Sequence, residues 1–168
     1  YEKESYRISR ALQEHAGVMV NEMGELDDLL KVVCGEHPPT VIHFSGHGGQ
    51  GSLHFEDEFG GGLKVPIHDL ITRIKQKGVR RWPRLFYLAC CHGQTPANEA
   101  SEAGVSSTAA RLHREGIPQV IAHFGPVYDA QSTDAESAIY AALAKGRRTR
   151  EAVRDGRTAL AKPFQVTP

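Results

Sequence analysis

The stretch "VIHFSGHGG", residues 41–49, decides the reading of this chain. Its first four positions suit a buried strand, and the glycines at 46, 48 and 49 end that strand abruptly. His47 therefore stands just past a strand end, between glycines. A second stretch, "RLFYLACCHGQ" at 84–94, has the same design: an apolar run that stops at Cys90-Cys91-His92-Gly93. Both runs are short and continuously apolar, the pattern of central strands in a parallel sheet covered on both faces.

Working outward, residues 1–17 read as a helix stopped by Gly17, and "VMVNE" (18–22) reads as a short strand. "GELDDLLKVVCGEHPP" (24–39) carries Leu26, Leu29, Leu30 and Val33 on one helical face and ends at Gly35. "SLHFEDE" (52–58) and "GLKVP" (62–66) suit a small hairpin, with "FGGG" (59–62) as a mobile tip. "IHDLITRIKQKG" (67–78) is a helix. Ser106 or Ser107 is placed to cap "TAARLHREG" (108–116), which leads into a third strand, "QVIAHFGPV" (119–127). "TDAESAIYAALAKG" (133–146) and "TREAVRDGRTALAK" (149–162) close the chain as helices. Strands alternating with helices predict an α/β fold with a mainly parallel central sheet and helices on both faces. In such sheets the site forms beyond the carboxyl ends of the strands. His47 and Cys91 are expected to face each other there.

Composition narrows the function. A chain of 168 residues, 40% hydrophobic, fits a single domain over 1–168 with a substantial core. Twenty basic and twenty acidic side chains cancel, so no whole-protein field points to nucleic acid or to a membrane surface as a direct partner. Three cysteines do not make a disulfide framework, and neither a secretory signal nor a long apolar span is visible. A reducing, cytoplasmic setting is expected.

A cysteine attacks a carbonyl as its thiolate, and a neighbouring imidazole takes up the proton and returns it to the leaving amine. Cys91 and His47 supply that pair. Glycines beside His47 let backbone N–H groups approach a carbonyl oxygen, with Gly48 and Cys91 as the natural oxyanion donors. The plainer reading makes the cysteines small core hydrophobes and His47 a turn residue. A zinc site built from His43, His47, Cys90, Cys91 and His92 is disfavoured, because adjacent cysteines do not easily reach one tetrahedral ion and no second Cys-x-x-Cys pair exists. No metal and no cofactor are expected. Cys34, at the end of a helix, reads as structural.

"SGHGG" and "ACCHG" resemble the His-Gly and Ala-Cys-x-Gly elements of the caspase-like cysteine proteases. The layout over roughly residues 4–165 is similar to the CHAT domains of that clan, relatives of caspases and separases. "IPQVIAHFGPVYDAQSTDAESAIYAAL" resembles their later strand and Tyr-bearing helix, and "GRRTREAVRDGRTAL" their basic terminal helix. The resemblance implies a three-layer caspase-like sandwich and a cysteine endopeptidase. It sets Cys90 on the family's alanine and Cys91 on its nucleophile, and it implies a supportive role for His43, which is read as a hydrogen-bonded core histidine facing away from the turn. Asp129 falls at the end of the third strand. In the separase and CHAT pattern an acidic residue there resembles the one that receives arginine or lysine from the substrate; the other reading is a cap for the following helix, a role open also to Asp134. The family fold begins with a further strand and continues past the last helix, so the chain is expected to be a piece of a longer protein whose neighbouring modules or partner regulate it. The expected partner otherwise is a protein substrate. The rival from a different class is a catalytically silent CHAT-like scaffold, which fold alone does not exclude.

Overall fold

The structure, a computed structural model, describes residues 2–21, 24–49, 51–90, 107–123 and 129–161. The chain divides into two compact units, one of residues 1–20 with 127–168 and one of residues 21–126.

The unit of residues 21–126 holds both sheets. Strands β1 (Val41–Ser45), β5 (Leu85–Ala89) and β6 (Gln119–Ala122) form a parallel sheet in the order β1-β5-β6. Between them in the chain come β2 (Gly48–Gly49), β3 (Ser52–Glu56) and β4 (Gly62–Pro66), which make a separate antiparallel sheet in the order β2-β3-β4. Helices α2 (Leu26–Cys34), α3 (Ile67–Gln76) and α4 (Thr108–Arg114) complete the unit. The expected α/β class and the mainly parallel sheet are thus present, and the antiparallel hairpin stands where 52–66 placed it.

Parallel strands need a crossover, and α3 and α4 serve as two. Each is amphipathic or capped as the sequence suggested. α3 buries Ile67, Leu70, Ile71 and Ile74, the spacing of one helical face. Ser107 caps α4 through its Oγ, which accepts from the Ala110 N–H at 3.1 Å. Along β1 and β5 the side chains alternate between two faces. Ile42, Phe86, Leu88 and Cys90 join Leu30 and Ile74 in one buried apolar cluster. The opposite face carries His43, Tyr87 and, just past β6, His123: the His43 ring stacks on Tyr87 at 4.9 Å, and Tyr87 meets His123 edge-on at 6.1 Å. His43 is half-buried there, on the face away from the apolar cluster, so its surroundings are aromatic and polar and not those of the apolar core.

The unit of residues 1–20 and 127–168 holds α1 (Glu2–Leu12), α5 (Asp129–Ala144) and α6 (Thr149–Leu160). α5 packs on both other helices. Arg7 of α1 pairs with Asp134 of α5. Gly156, in the middle of α6, sits against Ala135 and Ile139 of α5, where even a methyl group has no room.

Two expectations of the sequence are corrected. Residues 18–21 form no strand: Val18, Met19 and Val20 are exposed, and their apolar character meets no pairing partner among the described residues. The third strand is described as far as Ala122, and residues 124–127 of its expected span lie outside the described residues. α5 begins at Asp129, a turn earlier than 133, so Asp134 lies inside the helix and pairs with Arg7 instead of capping it. Among the described residues no helix is long and apolar enough to cross a membrane.

Candidate active site

β1 and β5 run side by side in a register that pairs Val41 with Leu85, His43 with Tyr87 and Ser45 with Ala89. Gly46 extends this ladder by one bond, its N–H donating to the Ala89 carbonyl at 3.3 Å. The two strands therefore end level with each other, at the carboxyl edge of the sheet. His47 follows one end directly. Cys90 follows the other.

Cys90 is 5% exposed and belongs to the apolar cluster, as strand alternation requires of a residue two places after Leu88. It is a core side chain, which agrees with reading it as the family's alanine position. Cys91 and His92 lie outside the described residues. Cys34 ends α2, where its Sγ lies 3.5 Å from the Ile74 carbonyl of α3. Burial pushes its thiol pKa up, against a smaller lowering by the Lys77 ammonium, so it stays a neutral thiol and a poor nucleophile.

His47 is exposed, and its backbone is held by the antiparallel sheet. The His54 N–H donates to its carbonyl at 3.0 Å, and Gly48 and Gly49 pair with Leu53 and Ser52. In an antiparallel ladder hydrogen-bonded and non-hydrogen-bonded pairs alternate. Since residues 47 and 54 are a bonded pair, Gly48 and Leu53 are a non-bonded one. The Gly48 N–H therefore points away from β3, toward the outer edge of the sheet. The sequence did not reveal this third strand, because two glycines carry no apolar alternation.

The hairpin beyond is tied down more firmly than its "FGGG" tip suggests. Asp57 Oδ1 accepts from the Phe59 and Gly61 N–H groups at 2.9 and 2.7 Å, and the Asp57 N–H donates to the Gly61 carbonyl at 2.8 Å. Gly60, with φ of 76°, supplies the left-handed position that the turn needs. On the sheet itself Leu53, Phe55 and Val65 face the core, while His54, Glu56 and Lys64 face solvent.

Asp129 is the first residue of α5, in the other compact unit, and its side chain lies outside the described residues. Of the sequence-derived site residues, His47, Gly48 and the half-buried His43 thus belong to one unit and one stretch of chain.

The CHAT domain family profile matches residues 1–166, nearly the whole chain. No curated protein matches it.

Proposed function

This chain belongs to the CHAT domain family, and from that premise we propose that it is a cysteine endopeptidase acting through His47 and Cys91. The CHAT domain is associated with caspase-like cysteine peptidases, so the class of reaction follows the family. The observation that carries the dyad is the level ending of β1 and β5: His47 comes just after one strand end, and the core residue Cys90 follows the other, so that Cys91 is the next residue of the sequence beyond it.

In this reading the His47 imidazole takes the Cys91 thiol proton, the thiolate attacks the carbonyl carbon of the scissile bond, and the oxygen gains its negative charge between the N–H groups of Gly48 and Cys91. His47 then gives the proton to the leaving amine, and water with His47 as base releases the acyl group. Asp129 receives the basic side chain before the bond, arginine ahead of lysine because only a guanidinium offers two parallel donors to one carboxylate. The substrate is a protein, and a neighbouring module or partner controls the site by ordering its loops. No step calls for a metal or a cofactor.

The test is cleavage of arginine-containing peptides together with labelling by an electrophilic peptide. His47→Ala and Cys91→Ala should each abolish turnover, and the double variant should lose no more than either single one, since the pair acts as a unit. Unreduced cleavage by Cys91→Ala would refute the assignment. A wild-type domain that neither cleaves nor is labelled, with its partner present, would favour a silent scaffold.

A further inference from the structure

The register of the small sheet sets a row of basic groups beside His47. His54 lies directly opposite His47 on β3, bonded through the 3.0 Å contact, and Lys64 lies directly opposite His54 on β4. Directly opposed residues share a face. This face is the solvent one, because Leu53, Phe55 and Val65, of the other parity, are buried. His47, His54 and Lys64 are all exposed. The other charged groups on the described part of this face are Glu56, two residues along β3 toward the hairpin tip and opposite Gly62, and Glu25, which is bridged to Glu56.

We infer that His54 and Lys64 form a subsite for an acidic side chain in the substrate segment that follows the cleaved bond. The inference rests on the reading of His47 as the proton donor to the leaving amine. That role places the first residue of the leaving half over His47, so whatever lies next to His47 on the same face meets the residues after the bond and not those before it. Neighbouring strands are about 4.8 Å apart, which puts the His54 and Lys64 backbones roughly 5 and 10 Å from that of His47, while an extended peptide advances about 3.3 Å per residue. The second and third residues after the bond therefore lie nearest His54, and the fourth lies over Lys64. An ammonium and an imidazole there favour a carboxylate by charge and by hydrogen bonding. Glu56 borders the row on the side of the tip and repels an acidic group laid in that direction, which confines the favoured position to the line of the row.

The site is chemically distinct from the one that would hold the basic residue before the bond. Together the two would select a substrate in which a basic residue is followed, two to four places on, by an acidic one.

The experiment uses two readouts on short fluorescent peptides with arginine before the bond and glutamate, glutamine or lysine at the second to fourth positions after it. In cleavage by the wild-type domain with its partner present, glutamate should exceed glutamine in kcat/KM by about threefold to fivefold, the size of one exposed charge pair, chiefly through KM, and the preference should shrink at high salt. Lys64→Glu should reverse the order and favour lysine. Binding of the same peptides to the Cys91→Ala domain, followed by fluorescence anisotropy, should show the same ranking without any cleavage. Equal binding of the glutamate and glutamine peptides, or a ranking unchanged by Lys64→Glu, would overturn the inference even where cleavage occurs. If no peptide is cleaved yet the ranking in binding persists and reverses in Lys64→Glu, the basic subsite stands and the catalytic reading falls.

Discussion

Replacing Gly156 by alanine tests the packing of the unit that carries Asp129. Gly156 lies in the interior of α6, where alanine is intrinsically better than glycine by about 1 kcal/mol. Propensity alone would therefore make the change stabilising. The structure argues otherwise. A Cβ at this position would stand 2.6 Å from Ile139 Cγ1, 2.8 Å from Ile139 Cδ1 and 3.1 Å from the Ala135 carbonyl oxygen. Carbon atoms pack best at roughly 3.5–4.0 Å, so α6 must withdraw or Ile139 must leave its rotamer. Ile139 is 4% exposed and the carbonyl belongs to the α5 backbone, so neither has an easy way out. Overpacking of a tight core costs about 1–3 kcal/mol, and a clash against both a buried side chain and a backbone atom belongs at the upper end. Setting the helical gain against it leaves a net loss of about 1–2 kcal/mol, which lowers Tm by about 2–8 °C in a chain of this size. Thermal melting followed by far-ultraviolet circular dichroism measures this directly. A second variant checks the cause: in an Ile139→Ala background the methyl group enters space that has been vacated, so Gly156→Ala should cost less there or become favourable. An unchanged or raised Tm for the single variant would show that α5 and α6 are not in such close contact, and the account of this helix pair would be wrong.

Cys90→Ala should keep peptide cleavage and electrophile labelling and cost about 1 kcal/mol of stability for the buried sulfur; loss of labelling in Cys90→Ala with retention in Cys91→Ala would reverse the assignment of the nucleophile. Asp129→Ala should lower kcat/KM for arginine peptides by roughly a hundredfold while changing cleavage after an apolar residue little, and a peptide library cut after aspartate would remove Asp129 from the specificity pocket. Cys34 has a raised thiol pKa in the folded chain, so its contribution to stability is fully present below the unfolded thiol pKa of about 8.5 and is lost as the pH rises through the higher folded value. Denaturant midpoints at pH 7 and pH 10 should therefore converge in Cys34→Ala relative to wild type, and an unchanged pH difference would count against a buried neutral thiol.

The parallel strands were legible because each is a short apolar run that leads into glycine, whereas the register of β1 with β5 comes from the structure. The hairpin was legible through the alternation of "SLHFE", in which Leu53 and Phe55 face the core and His54 faces out. β2 was not, since Gly48 and Gly49 have no side chains whose pattern could announce a strand; only their ladder with β3 makes one of them. Residues 18–20 failed in the opposite way. Their apolar character and the two valines favour a strand, but strand propensity describes fit to a neighbouring strand, and among the described residues they find none. Asp129 is a different case: "FGPVY" lies outside the described residues, and Asp129 is the first residue of α5. The row formed by His54 and Lys64 was within reach of the sequence, because the two lie at matching positions of the hairpin, but joining it to His47 required the unannounced strand.

Among the described residues, what fixes His47 is backbone. Its carbonyl is held by His54 across one sheet, and the residue before it is held to Ala89 across the other. A histidine at the junction of two sheets has its main chain set by both of them while its ring remains exposed. A main chain fixed on both sides restricts where the ring can go, which suits the general acid and base of the proposed mechanism. Glycine at 48 completes the arrangement for a separate reason: the ladder uses the hydrogen-bonding groups of residues 47 and 49 toward β3 and turns the N–H of 48 the other way. The same alternation that seats the histidine thus directs one amide to the opposite side. A shift of the β2 register by one residue would exchange these directions, moving the 48 amide into the ladder and turning His47 onto the face that holds Leu53.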